Sequence, residues 1–332
     1  MVRGWSPERR REMVQKFAAL GGLVILVAAF SLTSPAFATV GNALTVSLQV
    51  TSIAILGIGM TCVIITGGID LSVGSILALA GVVAALAMHR GLPVWCGMLL
   101  GLLAGAACGT LNGLVVTRLR LPPFIATLGM MMVARGLALQ ITGAEAVSGL
   151  GQGFGVLGNG SLFRVESVGA DGFPEVSFPG IPYPVVIMVV LMVLVSLMLT
   201  RTVLGRHIHA VGSNAEAARL SGVDVRRVTL FAYALSGTMA GLTGCILMSR
   251  LVTGQPNEGI AYELDAVAAA VIGGTSLIGG IGTISGTAIG SFIIGILRNG
   301  LNMNGVSAFT QQILIGLVIL FTVWIDQLRN RH

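Results

Sequence analysis

The apolar positions of this chain fall in long runs separated by short segments rich in glycine, proline and arginine. The runs cover residues 17–34, 43–66, 73–88, 94–116, 124–142, 183–200, 228–248, 263–280, 282–298 and 309–326. Crossing the hydrocarbon core takes about 20 mostly apolar residues, so the pattern predicts about ten transmembrane helices. The expected fold class is all-α, a polytopic helix bundle forming one transmembrane domain over 1–332. Two polar stretches interrupt the pattern: 143–182, rich in Gly, Ser and Pro, and 201–227, rich in arginine.

Composition strengthens this reading and orients it. The 332 residues are 55% hydrophobic and 10% charged, with a mean hydropathy of +0.93. Soluble domains carry about 25% charged residues, and ten spans with their links leave no room for one of ordinary size. The net charge of +6 is spread in small clusters between apolar runs, which argues against a nucleic-acid-binding face. Fourteen of the 19 Lys and Arg residues share the side of the amino terminus. Arg90, Arg164, Arg250 and Arg298 lie opposite, and Arg135 is inside a span. By the positive-inside rule both termini are cytoplasmic, 1–16 is a cytoplasmic tail, 143–182 an external loop and 201–227 a cytoplasmic loop. The amino-terminal segment ends in an A-x-A pattern at Ala38 that resembles a secretory signal. The spans that follow favour a retained first helix. Cys62, Cys96, Cys108 and Cys245 sit inside apolar runs without metal-ligand spacing and read as small packing residues.

Several residues inside the spans need an explanation. Gly97, Gly101, Gly105, Gly109 and Gly113 recur every fourth position, which keeps them on one helical face and lets a neighbouring backbone approach. Gly282, Gly286 and Gly290 repeat the step. Spans two to five and seven to ten would run in opposite senses, as in an inverted repeat. However, the Gly-broken stretches Gly67–Ser75 and Gly273–Gly286 do not fall at matching places. Asp70, in "GGIDLSVGS", is placed by this topology where the second span ends at the cytoplasmic side. There its carboxylate can accept from the amides of Ser72 or Val73, with Gly67 and Gly68 reversing the chain; alternatively it lines a solute path or gate. Arg135 either snorkels outward or faces a wet cavity. Gln49, Thr51, Thr61, Asn112, Thr127, Gln140, Thr275, Ser276, Asn302, Gln311 and Gln312 add a hydrogen-bonding interior. That interior suits an uncharged, polyhydroxylated solute better than an ion, with Asp70, Asn112, Arg135, Thr275 and Ser276 as candidates for the path or gate.

Catalytic patterns are missing. The single lysine, Lys16, follows Gln15, so no phosphate-cradling G-x-x-x-x-G-K-[ST] loop can form. No nucleophile elbow, paired cysteines or H-E-x-x-H motif occurs. The cytoplasmic loop offers something else. Ser213 and Glu216 match the S-x-x-E capping box, and Gly222 suits a helix stop. They bracket about two helical turns, too short to stand alone in water. The small face, Ala215, Ala217 and Ala218, either enters a groove on another protein or rests on its own spans.

Glu216-Ala217-Ala218 followed by Gly222 resembles the EAA-x-x-x-G loop of ATP-binding-cassette importer permeases. "RTVLGR", "AVGSNAEAARLSG", "GGIDLSVGS" and "YELDAVAAAVIGGTSLIGGIGTISGTAIG" look like the ribose-type permeases of sugar importers, over about residues 40–325. The resemblance implies a transporter subunit of the bacterial inner membrane that is not itself an enzyme and carries no cofactor or metal. It implies that Ser213, Glu216, Ala217, Ala218 and Gly222 form a coupling helix docked in a separate cytoplasmic ATP-binding subunit. It further implies a second permease chain and a periplasmic or lipid-anchored sugar-binding protein, with a monosaccharide moved inward by alternating access. Permeases for branched-chain amino acids or nucleosides are the nearest rivals. An ion-coupled secondary transporter would need intramembrane carboxylates that the spans hardly contain.

Overall fold

The computed structural model describes residues 7–151, 153–168 and 174–330. Its first half comprises α1 (Pro7–Thr33), α2 (Val40–Ile65), α3 (Val73–His89), α4 (Val94–Arg118) and α5 (Pro123–Thr142). A connecting region holds α6 (Val156–Asn159), β1 (Ser161–Leu162), β2 (Val165–Val168), β3 (Pro174–Phe178) and β4 (Ile181–Pro182). There follow α7 (Tyr183–Arg201), α8 (Val203–Ser213), α9 (Ala215–Leu220), α10 (Val225–Leu251), α11 (Tyr262–Ile272), α12 (Ile284–Met303) and α13 (Ala308–Asn330). By length and composition, α2, α4, α5, α7, α10 and α12 can cross a membrane, and α1, α3 and α13 contain shorter apolar stretches.

Local chemistry sets the helix ends. Thr39, Thr202, Asp224 and Thr283 each accept a backbone N–H of the helix they precede, filling donors that the first turn cannot pair. α5 opens on Pro122-Pro123 and stops at Gly143, whose φ of 64° is left-handed. Two expectations are corrected. The helical part of 263–280 is α11 alone, 11 residues or about 16 Å, because Gly273, Gly274, Gly279 and Gly280 break the rest. The all-α class omits two antiparallel ribbons in 143–182, β1 with β4 and β2 with β3. The helix α1 begins at Pro7, ahead of its apolar stretch from Phe17, and residues 1–6 lie outside the described residues.

The ribbon region is seated on the bundle. The Gly158 amide donates to Ser249 Oγ at 2.8 Å, Ser249 Oγ donates to the Phe154 carbonyl, and Asn159 Nδ2 donates to the Arg250 carbonyl at 3.1 Å.

The core forms around α2, in which every residue from Val50 to Ile65 is buried. α4 shows the opposite distribution. Its buried residues are Gly97, Gly101, Gly105, Gly109, Asn112 and Gly113, while Trp95, Leu99, Leu103 and Leu111 are exposed. Small residues face protein and large ones face outward, as expected where lipid replaces water. A Cβ added at Gly105 would lie 2.5 Å from the Gly237 carbonyl oxygen and 2.6 Å from Gly241 Cα. Gly101, Gly109 and Gly113 meet Cys245, Gly237 and Leu230 in the same antiparallel seam with α10.

A repeat emerges from the packing. α3 rests on α4 and α10 as α11 rests on α12 and α2, and α4 runs along α10 as α12 runs along α2. The halves α2–α5 and α10–α13 therefore repeat one arrangement in opposite senses. The breaks that correspond are 66–72 and 252–261, each following the first helix of its half. The pairing of Gly67–Ser75 with Gly273–Gly286 was thus the wrong comparison. Residues 254–259 run inside the bundle along α3: Gly254 packs on Ala85 and Gly259 on Gly74, about 16 Å lower.

The seam makes a direct prediction. Gly105→Ala lowers the thermal stability of the purified chain by about 1–3 kcal/mol. Gly129→Ala, at a position with nothing within 4 Å, leaves it unchanged or slightly raised. Equal melting temperatures for the two variants would contradict a backbone-to-backbone contact.

Candidate functional site

Asp70 is fully buried. Its Oδ1 accepts the Ser72 amide at 3.0 Å and the Ser72 hydroxyl, and its Oδ2 accepts Ser236 Oγ at 2.8 Å. Asn112 Nδ2 donates to Ser72 Oγ at 2.8 Å. One carboxylate thus ties the 66–72 break to α10 directly and to α4 through Ser72. The expected bond to the Ser72 amide is present, but the expected depth is not. Ser236 lies 11 residues along α10 from Val225, about 16 Å, which is half the thickness of a hydrocarbon core. Gly67, at φ 83°, turns the chain back into the bundle. Gly68 then fits against the buried Tyr233 hydroxyl, which has no hydrogen-bond partner among the described residues. A carboxylate in that position is tolerated because three donors reach it.

The other path candidates lie elsewhere. Thr275 and Ser276 are buried in the 273–283 connection, and Thr275 Oγ1 has no hydrogen-bond partner among the described residues. That connection touches the first break through the Gly280 amide, which donates to the Ile65 carbonyl at 2.8 Å. Arg135 is half-buried. Its Nη1 donates to the carbonyls of Pro256 and Glu258 at 2.5 and 2.8 Å, fastening α5 to the second break. The five candidates therefore occupy three places, of which only Asp70 and Asn112 share a hydrogen-bond network.

Both inner connections meet α8 at one end of the bundle. Gly212 lies against the Ile65 carbonyl so closely that no side chain fits, and His209 Nδ1 donates to the Gly280 carbonyl at 3.0 Å. α9 follows after a single residue. The capping box predicted from Ser213 and Glu216 does not form. Ser213 ends α8 and donates to the His209 carbonyl at 3.0 Å, while Asn214 caps α9 by accepting the Ala217 amide at 2.9 Å. Glu216 pairs instead with Arg219 through bonds of 2.6 and 3.1 Å. That hydrogen bond holds its carboxyl below the usual range. Gly222 does end the helix, with φ 87° and its amide donating to the Arg219 carbonyl at 3.0 Å. Of the predicted alanine face, Ala218 is buried in the main core cluster, whereas Ala215 and Ala217 are exposed. The apolar tip is Leu220, 75% exposed.

Sequence reasoning missed Ser236, Tyr233, His209, Gly212 and Asn214. Asn214 carried a usable signal, since Asn caps helices as well as Ser does. The others acquire meaning only from elements distant in the chain.

Comparison with known proteins gives a consistent result. The profile of a family described as "Branched-chain amino acid transport system / permease component" matches residues 42–323. The ribose import permease protein RbsC of Bacillus subtilis (strain 168) is 43% identical over 96% of this chain and 94% of its own. RbsC of Escherichia coli (strain K12) is 42% identical over 93% and 92%. The L-arabinose ABC transporter permease protein AraH of Azospirillum brasilense is 36% identical over 98% and 93%. No solved structure matches the chain.

Asp70→Ala removes the acceptor for two hydroxyls and an amide in a dry interior. It should destabilise the bundle by about 3 kcal/mol, and Asp70→Asn, which keeps one oxygen, by less than Asp70→Ala. A thermal-unfolding series in detergent checks this order, and an Asp70→Ala variant as stable as the parent would refute the network.

Proposed function

The chain belongs to the family of permease components that the profile describes, and from that premise we propose the direction, cargo and drive of its transport. It is an integral inner-membrane subunit of an ATP-binding-cassette importer and not an enzyme. The cargo in this reading is a monosaccharide, a ribose-like pentose or a hexose. Identity above 35% over nearly the whole chain to permeases named for ribose and arabinose supports it. Branched-chain amino acids, named in the family description, find no comparable support among these relatives. The topology is about ten spans with both termini cytoplasmic, in which the shorter α3 and the broken α11 region count as spans. Residues 143–182 are external and 201–227 cytoplasmic, all within one permease domain.

The drive comes from a separate cytoplasmic ATP-binding subunit, and a periplasmic or lipid-anchored sugar-binding protein delivers solute to a pair of permease chains. One observation carries the coupling: α8 and α9 present Leu220, Ala217 and Glu216 outward while Gly212 and His209 lie on the two inner connections. A displacement of α9 by its partner is transmitted through α8 to Ile65 and Gly280, and from there to the segment that holds Asp70. Packed backbone contacts move as rigid bodies, so little of the stroke is lost in side-chain slack. The coupling residues are thereby revised from Ser213, Glu216, Ala217, Ala218 and Gly222 to an outward surface of Ala217 and Leu220, with Glu216 held by Arg219. Ala218 anchors the helix, Asn214 and Gly222 delimit it, and Ser213 closes α8.

The test uses the complex of permease, ATP-binding subunit and binding protein. Leu220→Asp, at an exposed position where substitutions cost the fold within about 0.5 kcal/mol, should lower ATPase activity stimulated by the loaded binding protein at least tenfold. Membrane yield should stay at the parental level. Unchanged stimulation would exclude α9 as the docking element. Screening pentoses, hexoses and branched-chain amino acids against the binding protein checks the cargo independently.

A further inference from the structure

The β1–β4 ribbon joins α7 without a spacer. β4 runs directly into that helix, and the Tyr183 amide, first in α7, donates to the Gly160 carbonyl at 3.0 Å. Gly160 also lies against the Tyr183 ring. Within the ribbon, Ser161 pairs with Pro182 and Leu162 with Ile181. Residues opposite each other in an antiparallel pair share a face, and successive residues take opposite faces. Ser161 and Pro182 are half-buried, whereas Leu162 and Ile181 are exposed. Phe163 is 76% exposed, and Val165 is exposed as well. A ribbon with one face in water turns its polar side chains out and its apolar ones in. This ribbon does the reverse, as α4 does.

Depth accounts for the inversion. α7 has 19 residues, about 28 Å of helix, which matches the thickness of a hydrocarbon core, about 30 Å. Tyr183 and Arg201 therefore lie at the two boundaries of that core. Ile181 precedes Tyr183 by two residues, about 7 Å of extended chain, and Leu162 is level with it. The headgroup layer on each side is about 5–8 Å deep, so this apolar pair lies within it. The neighbouring surface is of the same kind, since α7 presents Val189, Val190, Val193, Leu194 and Leu197 outward. Phe163 adds an independent sign. Its φ of 60° is left-handed, a conformation that bulky side chains rarely adopt. Such outliers persist where the conformation serves a role, and here it carries the most exposed of the ribbon's four apolar side chains.

We propose that Leu162, Phe163, Val165 and Ile181 form a lipid anchor that dips into the headgroup layer of the outer leaflet beside α7. The partner is lipid, because a soluble protein would have to displace headgroups to reach the Leu162–Ile181 pair. The anchor holds the connection between the two halves of the repeat down on the membrane surface. It rests on α7 as a span and on 143–182 as an external segment, and is independent of the cargo.

The full chain in discs of phosphatidylcholine bilayer, open to solvent on both faces, gives the test. Phe163→Trp and, midway along α7, Val193→Trp are each compared with the parent, so the difference emission belongs to the added indole. Lipids brominated near the headgroup end of their acyl chains should quench the Phe163→Trp signal at least twofold, and aqueous iodide should quench it far less than a free indole. Deeply brominated lipids should quench Val193→Trp more strongly than Phe163→Trp. Ile181→Trp gives the same reading if Phe163→Trp does not fold. Quenching of Phe163→Trp by iodide and not by bromine, with Val193→Trp quenched by bromine, overturns the anchor and leaves the span intact. The anchor is equally overturned if only added binding protein shields Phe163→Trp from iodide, which would make the surface a protein contact. If neither variant senses the bromines, α7 is not a span and the anchor falls with it.

Discussion

Backbone that leaves a helix at membrane depth has to find its hydrogen bonds inside the protein, because lipid supplies none. That requirement governs this bundle, since two of its breaks run through the interior. The Ile65 carbonyl is met by the Gly280 amide and the Ile69 carbonyl by Thr127 Oγ1. Those of Pro256 and Glu258 are met by Arg135, and Gly254 exchanges two bonds with Val147. The polar residues that stand out in a greasy sequence are therefore the partners of interrupted backbone. Asp70 and Arg135 belong to this arrangement as fasteners, one for each of the two corresponding breaks.

Close packing makes the interruptions affordable in space. Glycines along α4 and α12 bring neighbouring backbones within reach of each other, and the shorter helices α3 and α11 lie against these rows. Gly212 does the same for α8, which settles directly on the first break. The mechanical route from α9 to the interior consequently passes through backbone at each joint.

Much of this was legible in the sequence. Unbroken apolar runs revealed the long helices, the four-residue glycine step announced the α4 seam, and Gly222 marked a real helix end. Depth was not legible. Asp70 was assigned to a membrane edge because a local pattern cannot tell a loop that exits the bundle from one that folds back into it. For the same reason 252–261 read as an ordinary outside link, although Gly254 and Gly259 lie along α3. The capping box failed on the helix boundary: Ser213 is the last residue of α8 and Asn214 caps α9, while Glu216 pairs with Arg219, three residues on. Alanine at 218 reads as a docking surface when only composition is known, whereas the fold turns it inward.

The inside-out arrangement of α4 has a thermodynamic consequence. Its leucines are already in contact with an oily phase, and separating it from α10 would wet hardly any further hydrocarbon. The heat-capacity increment that bends the stability curve of a water-soluble domain arises from such wetting. For this seam it should nearly vanish, so cooling ought to leave the contact as firm as it is at ordinary temperature.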